Sequence, residues 1–270
     1  MLEMHERIEI ISQERIRDEL SKLMCSDDPK PGLEILVDSK IASIVLPELP
    51  ALKLESDEHH HHKDVYQHTL TVVSQAIGYE SEYGLQGDLV VRLAALMHDV
   101  GKPATRKLES GGTVTFYHHD VVGAKLTKKR LTALRFDNDT VAAVSRLVEL
   151  HLRFFGYSDQ QWSDSAVRRY VRDAGEQLDR LHILTRADVT TRNHRKADRL
   201  AHAYDDLEKR IAILREQEEL DAIRPDLNGE QIMQTLGIPP VGRWARPTTS
   251  CLKFASMRRA WRGGGKEALA

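Results

Sequence analysis

Four stretches of this 270-residue sequence set apolar residues at helical spacing and place a histidine or an aspartate on the same face. They are Val65, His68 and Val72; Val91, Ala94, Ala95 and His98; Val141, Val144, Val148 and His151; and Leu181, Leu184 and Asp188. Residues three and four apart share one side of an α-helix, so each stripe turns its polar member toward a packed interior. A buried polar group must find a partner, and a buried carboxylate without one is costlier still. A single inward histidine is explained by a hydrogen bond within the core. Four such faces, with Asp99 beside His98, are satisfied together most economically by converging on a metal ion.

The same periodicity sets the fold class as all-α. Helices are expected over residues 7–24, then after the Asp27–Gly32 turn to about Leu46, then over Asp64–Tyr79 and Asp88–Val100. Further helices are expected over 119–133, 138–153, 164–173 and 176–192, with a long charged one from His194 to Glu219. A glycine-containing excursion at 101–117 holds a small extended turn at Thr113–Tyr117. No series of alternating strands and no repeat of fixed period interrupts this pattern.

Composition narrows the setting. No apolar run approaches the roughly 20 residues that span a bilayer, and the acidic, non-apolar N-terminus Met1–Arg7 is not a secretory signal. Cys25 and Cys251 form no metal-binding spacing and no disulfide framework. A cytoplasmic location without membrane contact is expected. The 39 basic residues balance 41 acidic ones, so net charge neither requires nor excludes a nucleic-acid partner. The 13 histidines are less usual, and most of them fall between His59 and His151.

Imidazoles and carboxylates without a thiolate suit Mn, Fe, Co, Ni, Mg or Zn in a nitrogen and oxygen shell. A metal held with open positions activates water and polarises a phosphoryl oxygen, which is hydrolytic chemistry.

His98-Asp99-Val100-Gly101-Lys102 resembles the H-D-x-G-K signature of the HD superfamily, with His68 before it and Asp188 after it in the expected order. His119, within His118-His119-Asp120-Val121-Val122-Gly123-Ala124, and His151 match the extra histidines of its two-metal members. The resemblance implies that His68, His98, Asp99 and Asp188 hold a first metal. It implies that His119 and His151 hold a second, with Asp99 bridging. His98, Asp99 and Lys102 would be catalytic, Lys102 contacting a phosphate or assisting the leaving group. The alternative for Lys102 is an exposed lysine at a helix end.

A narrower likeness covers about residues 5–240. Ser12–Leu20, Val45–Leu49, His59–Tyr66, Asp164–Tyr170 and Leu227–Met233 look like the bacterial tRNA nucleotidyltransferase/poly(A) polymerase family, in the actinobacterial form with an HD domain after its neck. The implied organisation is a neck-like helical segment over 1–54, an HD bundle over 55–222, a helical segment over 223–240 and an atypical tail over 241–270. That family's polymerase head carries a Gly-Ser followed by an Asp-x-Asp pair, and a Gly-Gly-x-Val-Arg-Asp string. Neither occurs here, and Val171-Arg172-Asp173 lacks the glycines. Without those carboxylates this chain alone is not expected to add nucleotides. It looks like a headless version of the family, through a truncated gene, an internal start or a designed boundary. After Pro240 the Arg-, Gly- and Trp-containing tail departs from the family's amphipathic helix, as a frameshift near residue 241 or as divergence.

The expected function is metal-dependent hydrolysis of a phosphate on a nucleotide or an RNA end, a 2′,3′-cyclic phosphate or a 2′-phosphate. The alternative is a tRNA-binding body that hydrolyses nothing. A tRNA or nucleotide is the expected partner, and the oligomeric state is left open. Arg168, Arg169, Arg172 and Arg192 are candidates for RNA phosphates, with surface ion pairing as the equal alternative. The His59–His62 run is a native loop, solvated or near the metal site.

Overall fold

The computed structural model describes residues 2–54, 64–109, 114–154, 156–157, 162–191 and 193–222. The expectations for His59–His62, Arg192 and everything after Ala222 fall outside these residues. The described chain is all-α apart from one small hairpin. It divides into two units, residues 1–207 and 208–270.

The single helix expected over 7–24 is two elements. A 3-10 segment covers Leu2–Ile10, and helix α1 starts afresh at Gln13–Met24. Ser12 causes the break, because its extended backbone lets the side chain accept from Arg15 N as an N-cap. Ile16, Leu20 and Met24 then form the buried stripe of α1. Helices α2 (Lys30–Asp38), α3 (Ala42–Val45) and α4 (Glu48–Ala51) follow, with prolines at the entries of α2 and α4.

Helix α5 (Val65–Glu80) is capped by Asp64, and α6 (Leu89–Met97) by Asp88. Every residue of α6 from Val91 to Met97 is buried, which makes it the axis of the bundle. It packs against α5, against α9 (Asn138–Leu150) and against α11 (Leu178–Ala187). The short helix α7 (Lys102–Thr105) leads to strands β1 (Lys107–Leu108) and β2 (Val114–Thr115), which pair antiparallel as Lys107 with Thr115 and Leu108 with Val114.

Helix α8 (His119–Ala133) follows a left-handed residue, His118 at φ 63°, and packs along α9. Its buried stripe is His119, Gly123, Thr127 and Leu131. Arg135, also left-handed, closes the helix, and Phe136 N donates to Leu131 O at 3.0 Å. After α9 a 3-10 turn, His151–Phe154, turns the chain toward α10 (Asp164–Ala174).

The long helix α12 (His194–Ala222) carries Tyr204, whose ring stacks on Phe154 with centroids 3.5 Å apart. The Tyr204 hydroxyl donates to Thr185 O at 2.7 Å. The segment before residue 54 is fastened to the bundle by the buried Arg92 guanidinium. It is paired with Glu80 at 2.5 Å and donates to the carbonyls of Met24 and Ser26 at 2.8 and 2.7 Å.

Candidate metal centre

The bundle gathers six of the residues that the sequence singled out. His68 comes from the first turn of α5, and His98 and Asp99 directly follow α6. His119 opens α8, His151 follows α9 and Asp188 follows α11. His98, Asp99 and His151 are each 1% exposed and His119 is 7% exposed.

Two triads result. One ligating-type atom from each of His68, His98 and Asp188 lies within 4.8 Å of the others, and the same holds for Asp99, His119 and His151. Asp99 faces both. Its Oδ2 is 3.2 Å from His98 Nε2 and 3.6 Å from His68 Nε2, while its Oδ1 is 3.4 Å from His119 Nε2. Asp188 Oδ1 is 3.0 Å from His68 Nε2 and 3.5 Å from His98 Nε2.

The hydrogen bonds behind these rings suit cation binding. Nδ1 of His98 bonds Ala95 O at 2.8 Å, that of His119 bonds Phe116 O at 2.8 Å, and that of His151 bonds Val148 O at 2.6 Å. A carbonyl only accepts, so in each ring Nδ1 is the donor and Nε2 faces inward. His151 Nε2 is buried without a hydrogen-bond partner. His68 Nε2 and His98 Nε2 converge to 3.3 Å, and both face the Asp99 and Asp188 carboxylates. The residues fit a divalent metal site on these grounds.

The electrostatics favour positive charge at the centre. Burial opposes a charged His98, yet the Asp99 and Asp188 carboxylates outweigh it and push its pKa up to about 10. Burial works to raise Asp99, but His98, Lys102 and His68 hold it well below the usual carboxylate range. Asp188 is likewise lowered against its burial, by His68 and His98. Burial pulls His151 down to about 4, and the charge on His98 acts in the same direction.

Lys102 is not the exposed helix-end lysine of the alternative reading. Its side chain is 14% exposed, and its Nζ lies 2.9 Å from Asp99 Oδ2. Gly101 explains the close assembly. A β-carbon there would stand 2.1 Å from His119 O and 2.7 Å from Gly123 N, so its absence lets the start of α8 rest on the turn that carries His98 and Asp99. Arg168, Arg169 and Arg172 are not part of the centre. They lie on the exposed side of α10, whose buried face is Val167, Tyr170 and Ala174.

Sequence reasoning missed Thr190, whose Oγ1 is 3.0 Å from His68 Nδ1. It also missed the exposed lysines of α8, Lys125, Lys128 and Lys129, whose i, i+3, i+4 spacing was available as a signal.

Known proteins resemble the chain over both of its parts. Residues 1–52 match the family described as the probable RNA and SrmB-binding site of polymerase A, and residues 65–193 match the HD domain. The A-adding tRNA nucleotidyltransferase of Deinococcus radiodurans is 32% identical over 237 residues, which are 87% of this chain and 52% of that protein. The CC-adding tRNA nucleotidyltransferase of Thermus thermophilus is 32% identical over 240 residues, 86% of this chain and 51% of that protein. The multifunctional CCA protein of Alkalilimnicola ehrlichii is 31% identical over 141 residues, 52% of this chain and 33% of that protein. The chain spans about half the length of the first two relatives. Its residues 1–52 thus match a polymerase-A-type RNA-binding segment and residues 65–193 an HD domain, and across both the chain is similar to one half of tRNA nucleotidyltransferases.

Proposed function

We propose that this chain is a divalent-metal-dependent phosphohydrolase acting on a phosphate at an RNA end or on a nucleotide. The observation that carries the reading is the pair of triads meeting at Asp99. In this reading His68, His98 and Asp188 hold one cation and His119 and His151 a second, with Asp99 serving both. A divalent cation so bound would activate water and polarise the phosphoryl oxygen.

The chain's own groups supply the rest. The inward Nε2 atoms of His98, His119 and His151 are fixed in direction by their Nδ1–carbonyl bonds. The Lys102 ammonium, held beside Asp99, is placed to bind a phosphate oxygen or steady the departing one. Burial of the carboxylates and imidazoles keeps bulk water from screening these charges.

The test is hydrolysis of 2′,3′-cyclic AMP and p-nitrophenyl phosphate with Mn, Ni, Co and Mg in turn, using His98→Ala as the blank. Turnover that needs metal and vanishes in the variant is expected. Absence of turnover with every metal, from folded protein, overturns the reading.

A second reading, binding of tRNA, is favoured by α8. Lys125, Lys128 and Lys129 share one exposed face and have no ion-pair partner among the described residues. The adjacent Arg130 bonds Glu48 at 2.9 Å, which joins this helix to the segment matching the RNA-binding family. The two readings are compatible, because an RNA held along α8 lies on the helix that begins at His119. No described helix is long and apolar enough to cross a membrane, in keeping with a cytoplasmic tRNA-processing role.

A further inference from the structure

His68 is anchored differently from the other three histidines of the centre. Theirs is a main-chain carbonyl at Nδ1, which can only accept and so holds the ring proton on that nitrogen. At His68 the partner of Nδ1 is the Thr190 hydroxyl at 3.0 Å, which can either donate or accept. On the opposite side of the ring, Nε2 is 3.0 Å from Asp188 Oδ1.

A carboxylate accepts. Asp188 is the nearer partner of Nε2, at 3.0 Å against 3.3 Å for His98 Nε2, so in this pairing the neutral ring carries its proton on Nε2 and gives it to Asp188, while Nδ1 accepts and the Thr190 hydroxyl donates. For Nε2 to offer a lone pair to a cation, that proton must reside on Nδ1, and Thr190 Oγ1 must then accept. The ring keeps one proton in both arrangements. The proton changes nitrogen through solvent, and only the hydroxyl hydrogen turns. Asp188 and Thr190 stand two residues apart just after α11, so one short stretch grips both nitrogens of the ring.

We propose that Thr190 is a positioning residue for His68, holding its ring in place in both tautomers so that Nε2 can pass from a hydrogen bond with Asp188 to a bond with a metal ion. The inference rests on the metal-centre reading above, and its test separates the two.

The experiment is calorimetric titration of Mn2+ into the wild-type chain and into Thr190→Val and Thr190→Ser, with far-ultraviolet circular dichroism as the check on folding. Valine keeps the shape and removes the hydroxyl, while serine keeps the hydroxyl. A partner that orients a ligating histidine is worth about 10- to 100-fold in metal affinity, so Thr190→Val should bind at least about tenfold more weakly. Thr190→Ser should stay close to wild type. Valine binding like wild type, or serine binding as weakly as valine, overturns the role given to the hydroxyl. A wild-type chain that binds no Mn2+ overturns the metal centre itself.

A readout without any variant follows the ring directly. Long-range proton–nitrogen NMR of the wild-type imidazoles, before and after addition of Zn2+, should show the His68 proton move from Nε2 to Nδ1. A ring already protonated on Nδ1 before the metal is added also overturns the proposal.

Discussion

Gly101 lies so near His119 that a β-carbon on the first would stand 2.1 Å from the carbonyl oxygen of the second. The obstacle is main chain, which cannot swing aside as a flexible side chain would, and Gly123 N lies 2.7 Å away in the same gap. The backbone of Gly101 is ordinary, at φ −79°, so proximity and not conformational freedom demands glycine there. Gly101→Ala should lose about 1–3 kcal/mol of stability through overpacking. It should also push His119 away from Asp99, so that metal analysis finds about one ion fewer per chain than in wild type. An unchanged melting temperature with full metal content would contradict this.

Metal uptake should release protons. In the metal-free protein His98 is held charged up to about pH 10, because Asp99 and Asp188 outweigh its burial. A ligating imidazole must be neutral, so below that pH binding displaces a proton. Affinity for Mn2+ should therefore rise as pH goes from 6 to 8, by up to about tenfold per unit for one displaced proton. Calorimetry at pH 7.5 in two buffers of different ionisation enthalpy counts the proton, and heats independent of buffer would refute it.

Breaking the buried pair between Arg92 and Glu80 should be severe. Both side chains are almost fully buried, at 5% and 3% exposure, and Arg92 also serves the carbonyls of Met24 and Ser26. Removing one partner strands the other, at about 3–5 kcal/mol. Glu80→Gln should show this loss in a urea midpoint, with the slope unchanged. Exchanging both residues for apolar ones of similar volume should recover a good part of it.

Reversing the charge on Lys125, Lys128 and Lys129 together should weaken tRNA binding across sequences. If each lysine meets one phosphate, the slope of log affinity against log salt should fall in magnitude by about 2–3. Filter binding at several salt concentrations measures it, while unchanged hydrolysis of p-nitrophenyl phosphate would show that the centre is intact. An unaltered slope would place the RNA elsewhere.

Much of this architecture was legible because the apolar stripes of α5, α6, α9 and α11 continue straight into their ligand-type residues. Val144 and Val148, both fully buried, predict the buried His151 by spacing alone. α8 was not legible in that way. Its buried stripe runs His119, Gly123, Thr127 and Leu131, so a single aliphatic residue marks the inner face, and His119 was reached through its motif. Thr190 was invisible for a different reason. Nothing in a loop sequence tells which of Thr190 and Thr191 meets an imidazole 122 residues earlier. The break at Ser12 was visible only as a capping residue inside an otherwise helical pattern.

The stacked pair Phe154 and Tyr204 bears on where an autonomous piece of this protein can be cut. The HD match stops at residue 193, eleven residues short of Tyr204. Yet Tyr204 leans on the turn that begins with His151 and bonds Thr185, three residues ahead of Asp188. The first half of α12 thus packs against the two segments that present His151 and Asp188. A fragment trimmed to the limits of the family match would keep every ligand-type residue and lose the surface that keeps two of them in register.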